Sequence, residues 1–318
     1  MPVTIRTFAE NDYPAIATIF NALWPDEAKT AAGLRLSDQN RGPGCKHGRF
    51  IAEMDRQVVG VAEYTQFEGM YHPRKFGVYL GVLPEFQGKG VGKALWGWVM
   101  NSLEAHNPLS IRSVTREDKA RSIRFLLERG FQEKMRYWES RLDVNTFDPA
   151  PFAGAVQKVL GQGIRICSIK ELASDPEMPR KAYDLFCAVR LDVPRPEPAT
   201  QVSYQQFSKR YFENPYFLPE ANFVALDGDQ YAGQTSLWKT DGAYLNTGLT
   251  GTRAEYRRRG IALALKLRAL EYAKRMGAPE IRTGNESNNR PMLAINEMLG
   301  FVKQPVWIDF TKVIKEES

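Results

Sequence analysis

The chain has 318 residues, 43% of them hydrophobic and 25% charged, and a formal net charge of +6. That is the profile of a globular protein long enough for two domains with their own cores. No apolar run reaches the roughly 20 residues that span a bilayer, and the opening MPVTIRTFAENDY lacks the basic and apolar segments of an export signal. Cys45, Cys167 and Cys187 are widely spaced and form no CxxC pair, so a cytoplasmic protein without disulfides or a metal site is expected. Cys45 and His47, in GPGCKHGRF, read as a surface loop.

In chain order, VTIRTF (3–8) suggests a strand and YPAIATIFNALW (13–24) a helix. FIAEMDRQVVGVAEY (50–64) alternates apolar residues about Asp55-Arg56, as a hairpin does. A further strand enters PEFQGKGVGKAL (84–95), a glycine loop opening a helix with Val91, Leu95, Trp98 and Val99 on one expected buried face. IRSVT (111–115) reads as a strand, the next helix closes on Gly130, and MRYWESRLDV (135–144) is a last strand. The order then starts again. IRICSI, PRKAYDLFCAVR, the hairpin FVALDGDQYAGQTSL (223–237), the loop AEYRRRGIALAL (254–265), EIRTG, NEMLGF (296–301) and PVWIDFTKVI repeat it. In the second loop's helix Ile261, Leu265, Ala269 and Tyr272 form the matching face. Gly90 and Gly260 lie 170 positions apart, as do Gly130 and Gly300; Phe50 and Phe223 lie 173 apart, as do Gly60 and Gly233. Matched order and spacing mark a tandem duplication of a whole domain rather than a solenoid. The expected division is a first domain at 1–145, a linker at 146–163 around DVNTFDPAPFAG, and a second domain at 164–318. Proline-rich DVPRPEPATQ (192–201) reads as a loop inside the second domain. Alternating strands and helices without a strict βαβ run indicate an α/β protein with a mixed sheet.

Glycines at 88, 90 and 92 let backbone N–H groups converge, and the helix that follows adds free N–H groups and a positive dipole end. Together they suit a phosphate. Residues 253–275 add Arg253, Arg257, Arg258, Arg259, Lys266, Arg268, Lys274 and Arg275 against Glu255 and Glu271, a patch that favours an anionic ligand near the loop and otherwise reads as a solvated helix face. Neither common nucleotide pattern fits. A P-loop would need glycine at Gln87 and a hydroxyl at Ala94, and the dinucleotide loop would need glycine at Lys93.

The pattern that fits is [Q/R]-x-x-G-x-[G/A], present as Gln87-Gly88-Lys89-Gly90-Val91-Gly92 and as Arg257-Arg258-Arg259-Gly260-Ile261-Ala262. With GVLPEFQ ahead of it and a Gly-Phe ending about forty residues on, it resembles the GNAT acyltransferase superfamily. The pairing of two such units is similar to the mycothiol synthase type. The resemblance implies a tandem duplication of the GNAT fold that binds acetyl-CoA as co-substrate. Its pyrophosphate would lie on these loop residues and Lys93. Its pantetheine arm would lie between two strands that splay at a bulge, against backbone from Leu80 to Val82 and from Thr250 to Thr252. Asn289 matches an arm-contacting asparagine, and Lys119 stands there in the first copy. An acetyl group would pass directly to a primary amine of a small acceptor, with no covalent enzyme intermediate.

The resemblance also expects a basic Glu eleven residues before the loop's Gln or Arg, and an acidic Tyr four residues before the final Gly. Phe76 and Asn246 occupy the first position, Leu126 and Asn296 the second, so the catalytic residues are left unassigned. Glu63, Tyr79 and Glu286 are the substitutes closest in sequence. Asn289 and the arginine-rich loop favour the C-terminal unit as the catalyst. From Ile5 to Phe50 is 45 positions and from Ile166 to Phe223 is 57. The extra residues include YFENPYFLPEANF, whose aromatics could line an acceptor pocket or pack as core. A non-catalytic CoA-binding sensor or scaffold is the competing reading. Nucleic-acid binding through the basic patch is weaker, because no aromatics interleave it as stacking platforms.

Overall fold

The structure is a computed structural model that describes residues 2–316. The first repeat runs β1 (Thr4–Thr7), α1 (Tyr13–Leu23), α2 (Ala31–Gln39), β2 (His47–Met54), β3 (Gln57–Thr65), β4 (Lys75–Val82), α3 (Val91–Glu104), β5 (Ser110–Arg116), α4 (Ala120–Leu127) and β6 (Gln132–Asp143). A short helix α5 (Ala155–Leu160) precedes the second. That repeat runs β7 (Ile164–Ser168), α6 (Met178–Arg190), α7 (Tyr204–Tyr211), β8 (Phe217–Asp227), β9 (Gln230–Trp238), β10 (Tyr244–Thr247), β11 (Gly251–Thr252), α8 (Ile261–Arg275), β12 (Glu280–Glu286), α9 (Arg290–Met298), β13 (Val302–Lys303) and β14 (Trp307–Val313).

The chain forms two compact units, and neither is one continuous repeat. The N-terminal unit comprises the described residues up to Met135, Pro196–Thr200 and the stretch from Trp307 on. The C-terminal unit comprises Arg136–Arg195 and Gln201–Val306. The N-terminal sheet is ordered β1-β2-β3-β4-β5-β14, with only β4 and β5 parallel. The C-terminal sheet is ordered β7-β8-β9-β10-β12-β6, with β10 and β12 parallel and β11 on β9. The last strand of each repeat therefore completes the unit built on the other. This corrects the division at 145 and 164. Leu142 and Val144 lie in the C-terminal core, and Phe310 is buried on β14 beside β5. The expected linker is also structured. Val159 of α5 is buried against the C-terminal core, and Phe152, Ala155 and Val156 pack beside it. Residues 192–201 form a loop as expected, but Glu197 pairs with Lys75 (3.0 Å) and Thr200 with Tyr71 in the N-terminal unit.

Each sheet has helices on both faces. In the N-terminal unit α3 lies over Gly60, where an added Cβ would meet Leu95 at 3.0 Å and Val91 at 3.2 Å. On the other face α1 lies over Gly81, with Leu23 at 3.0 Å. Gly233 plays the part of Gly60, close to Ile261 of α8 and to the Gly251 carbonyl, and Gly251 sits under Val189 of α6. The matched glycines thus record how closely helix and sheet approach. The helix faces are largely as expected: Val91, Leu95, Val99, Ile261, Leu265, Ala269 and Tyr272 are buried, but Trp98 is 46% exposed. Lys266, expected on a solvated face, is only 4% exposed and lies over the Phe301 ring.

Candidate functional site

Each unit has a gap between its two parallel strands. β4 pairs with β5 only from Lys75↔Ser110 to Gly77↔Arg112, and β10 with β12 only from Tyr244↔Glu280 to Asn246↔Arg282. Beyond those residues the strands part, and the peptide groups at the parting point have a definite direction. Leu83 N–H donates to Val59 C=O (2.9 Å), which fixes the phase of the β3–β4 ladder. The odd residues of β4 bond to β3, so the peptide groups of Leu80 and Val82 face the gap. Gln87 Nε2 donates to the Val82 carbonyl there (3.0 Å). In the C-terminal unit Arg253 N–H donates to Ala232 C=O (2.9 Å), so the peptide groups of Thr250 and Thr252 face the gap. Thr250 is further fixed by a 2.7 Å hydroxyl bond to Thr235.

The expected bulge occurs in one unit only. Gly248 N–H bonds to Ser236 C=O, yet Gly251 pairs with Gln234, so the register of the 244–252 segment advances by one residue. β4 keeps a single register with β3 throughout. The consequence is a flip of side chains. Asn246 is exposed on the face that carries Trp238 and Arg282, the α6–α7 face. Phe76, its counterpart, is turned to the opposite face and packs with Tyr64 and His106.

Both loops have the expected cradle. Gly90 (φ +86°) and Gly260 (φ +82°) are the N-caps of α3 and α8. The first helical bonds are Ala94 to Gly90 and Ala264 to Gly260, each 3.0 Å, so the N–H groups of Val91, Gly92 and Lys93, and of Ile261, Ala262 and Leu263, precede them. Gly88 (φ +81°) is matched by Arg258 (φ +60°), a non-glycine in the left-handed region. Two of the loop arginines are already engaged. Arg257 pairs with Asp192, and Arg259 bonds Gln162 (3.0 Å) and lies over Tyr256. In the N-terminal unit Arg121, at the start of α4, places both terminal guanidinium nitrogens 3.8 Å from where a Gly88 Cβ would stand. Sequence reading missed it. Its signal is a basic residue two places after Lys119.

The gaps fit a pantetheine arm, which carries amides that need partners. On the α3–α4 face Thr115 Oγ1 is buried without a hydrogen bond among the described residues. Asn296 Oδ1 is orphaned in the same way, while its Nδ2 donates to Asn285 Oδ1 on β12 (2.6 Å). Asn289 is the N-cap of α9 and makes no side-chain cap bond, so its amide is not committed to the helix end. Lys119 is committed, to the Leu23 carbonyl (3.0 Å) and the Trp24 ring.

The three substitute acid–base residues are poorly placed for proton transfer. Burial would raise the Glu63 carboxyl, but His47 and Arg49 (2.8 Å) outweigh it and hold it below the usual carboxylate range. Tyr79 is pushed up by burial and its hydroxyl has no partner among the described residues. Glu286 ends β12 by accepting from Ser287 Oγ (3.0 Å), Asn288 N–H (2.9 Å) and Asn288 Nδ2 (3.0 Å). The aromatic segment does not open an acceptor pocket. Tyr211, Phe212, Phe217 and Phe223 surround a cavity of about 30 Å³, enough for little more than water. Cys45 is raised by burial and far from a reactive thiolate, and no cluster of potential metal ligands occurs among the described residues.

A mixed sheet splayed between parallel strands, with an anion cradle on the helix that follows, defines an acyl-transfer fold, here carried twice. The family model for the acetyltransferase (GNAT) family matches residues 13–131 and 187–301. The chain belongs to that family and is an N-acetyltransferase. It is 25% identical to the mycothiol acetyltransferase of Thermobifida fusca over 284 residues, 84% of this chain and 83% of that one. Two solved structures share the fold over nearly the whole length. A tandem GNAT protein from the clavulanic acid biosynthesis pathway has a TM-score of 0.76 at 18% identity, covering 100% of both chains. A GCN5-related N-acetyltransferase from Sphaerobacter thermophilus has a TM-score of 0.73 at 17% identity, covering 99% of this chain and 97% of that one.

Proposed function

We propose that the protein moves an acetyl group from acetyl-CoA directly onto a primary amine of a small-molecule acceptor, and that the C-terminal unit carries the turnover. The observation behind this reading is the direction of the peptide groups at the gap. In the C-terminal unit the amides of Thr250 and Thr252 both face the gap, and the loop from Arg257 to Ala262 would offer helix-end N–H groups to a diphosphate. Amides at the gap would bind the pantetheine and the carbonyl oxygen on which charge develops, an oxyanion-hole role. Asn289, which makes no side-chain cap bond, and the orphaned Asn296 Oδ1 would bind the arm.

The N-terminal unit offers the same cradle through Gln87, Gly88, Lys89, Gly90, Val91, Gly92 and Lys93, with Leu80 and Val82 at the gap, and we assign it a second acetyl-CoA site. Its acceptor side is obstructed. Phe67 lies against Gly77 and beside the Arg112 guanidinium, residues 196–200 attach through Glu197 and Thr200, and Asp309 is 0% exposed. These features favour a binding role without turnover for that unit. Calorimetry of acetyl-CoA with the full chain should show two binding events. Gly90→Val should remove one, and Gly260→Val should remove the other together with thiol release in the presence of an amine. Absence of binding by the wild type, or loss of turnover with Gly90→Val alone, would refute the assignment.

A further inference from the structure

Asn246 stands where the general base is expected in the C-terminal unit and cannot take a proton. Its parallel neighbour is Arg282, and Arg282 is opposite Arg141 on β6. Two residues along β6 toward the gap, on the same face, Glu139 is opposite Gly284. Gly284 is exposed, and a side chain there would meet nothing within 4 Å. The Glu139 carboxylate therefore overlooks open space above the part of β12 that β10 has left, one strand spacing, about 4.8 Å, from the edge of the gap. Arg141 Nε holds Oε1 at 2.6 Å and fixes its direction, and the side chain keeps 16% exposure. Of the carboxylates on β12, Glu286 is taken up by Ser287 and Asn288, and Glu280 lies opposite Tyr244 where β10 and β12 are still paired, away from the gap.

The N-terminal unit repeats the placement. Asp309, 170 positions after Glu139, is opposite Val114 on the part of β5 that has left β4. It bonds Arg112, and its Oδ1 is buried without a partner among the described residues. Both acids ride on the strands that the repeats exchange.

We infer that Glu139, delivered to the C-terminal unit by the last strand of the first repeat, receives the proton of the acceptor ammonium. The inference rests on the reading of acetyl transfer given above. Glu139 takes one proton from the R–NH3+ group. The freed nitrogen lone pair forms the C–N bond to the thioester carbonyl carbon, the C–S bond breaks, and its electron pair leaves on sulfur. The second nitrogen proton goes to that thiolate, and Glu139 returns its own to solvent.

The test uses the full chain and its Glu139→Gln and Glu139→Asp variants. Thiol release from acetyl-CoA is followed with spermidine, glucosamine, ethanolamine and an alanyl peptide. Binding of the same amines in the presence of CoA is followed by calorimetry. Glu139→Gln should lower kcat/KM by about 100-fold or more and flatten the acidic limb of the pH profile. Amine affinity should fall while acetyl-CoA affinity stays within about twofold, and Glu139→Asp should recover part of the rate. A Glu139→Gln protein within about threefold of wild type, with its acidic limb intact, overturns the inference and leaves acetyl transfer standing. A wild type that binds no acetyl-CoA, or turns over none of these amines, overturns the functional reading and this inference with it.

Discussion

Lys266 sits on the second turn of α8, 4% exposed, with its ammonium 5.3 Å from the Phe301 ring centroid. Removal from water disfavours the charged form, and burial lowers its pKa to about 8. The first repeat places Trp96 at the matching position, against Phe131, so the site accepts an apolar side chain. The sign of the pH effect follows from proton counting. Between about pH 8 and pH 10.5 the unfolded chain holds a proton on this amine that the folded chain does not, so stability contributed here rises with pH across that window. Below about pH 8 the buried lysine is charged and its full penalty is present, about 3 kcal/mol for a shift of this size. Lys266→Met should therefore stabilise the protein by up to about 3 kcal/mol at pH 7, with the gain shrinking toward zero by about pH 10.5. Urea denaturation of both proteins across that range measures it. A gain independent of pH would mean that packing, not charge, decides.

At the scale of elements, the loops show what repetition revealed and what it concealed. Gly90 and Gly260 were legible because both cap a helix with positive φ, where a Cβ is costly. The neighbouring pair was not matched in type: Gly88 and Arg258 share the left-handed conformation, at +81° and +60°. A non-glycine there costs about 1–2 kcal/mol. Arg258→Gly should recover about 1 kcal/mol of stability in thermal melts while weakening acetyl-CoA binding only modestly, because the cradle is made of backbone N–H groups. A loss of stability would show that the guanidinium, and not the loop shape, holds this turn. Helices α1, α3, α6 and α8 were legible from their apolar spacing. α2 and α7 were not, because their sequences AAGLRLSDQ and YQQFSKRY are polar, and their ends are set locally by Thr30 and by the Ser203–Gln206 capping box. The two glycine loops, the gap and the peptide groups of Leu80, Val82, Thr250 and Thr252 that face it could be located from pattern and resemblance. The one-residue bulge at 248–251 could not, since Gly248 and Gly251 flank it but do not say which register the two ladders adopt. That bulge turns Asn246 to the α6–α7 face and leaves Phe76 on the opposite face of its own sheet.

For the whole molecule, the feature hidden from sequence is the exchange of last strands. Reading in chain order assigns β6 to the first repeat and β14 to the second, and both repeats look complete. Pairing reverses the assignment: Ile281 is opposite Leu142, and Ile111 is opposite Lys312. A strand's local pattern specifies which face it buries but not which of two nearly equivalent sheet edges it joins. The division at 145 would therefore cut through two cooperative units, because a fragment of residues 1–145 keeps β6 but loses β14. Its β5 is left as an open edge of unpaired backbone groups. Its own β6 carries the homologous strand, with Glu139 in the place of Asp309, but reaches that edge only as the strand of a second molecule if the α4–β6 path stays as it is. Such exchange between copies is a low-cost route to dimers. The fragment should sediment as a symmetric dimer at micromolar concentration, and fusing residues 302–316 to its C-terminus should return it to a monomer by filling the β5 edge with β14. A 1–145 fragment that is monomeric and fully folded would show that β6 can turn back onto β5 within one chain, and that the exchange is a product of tandem linkage rather than of the α4–β6 connection.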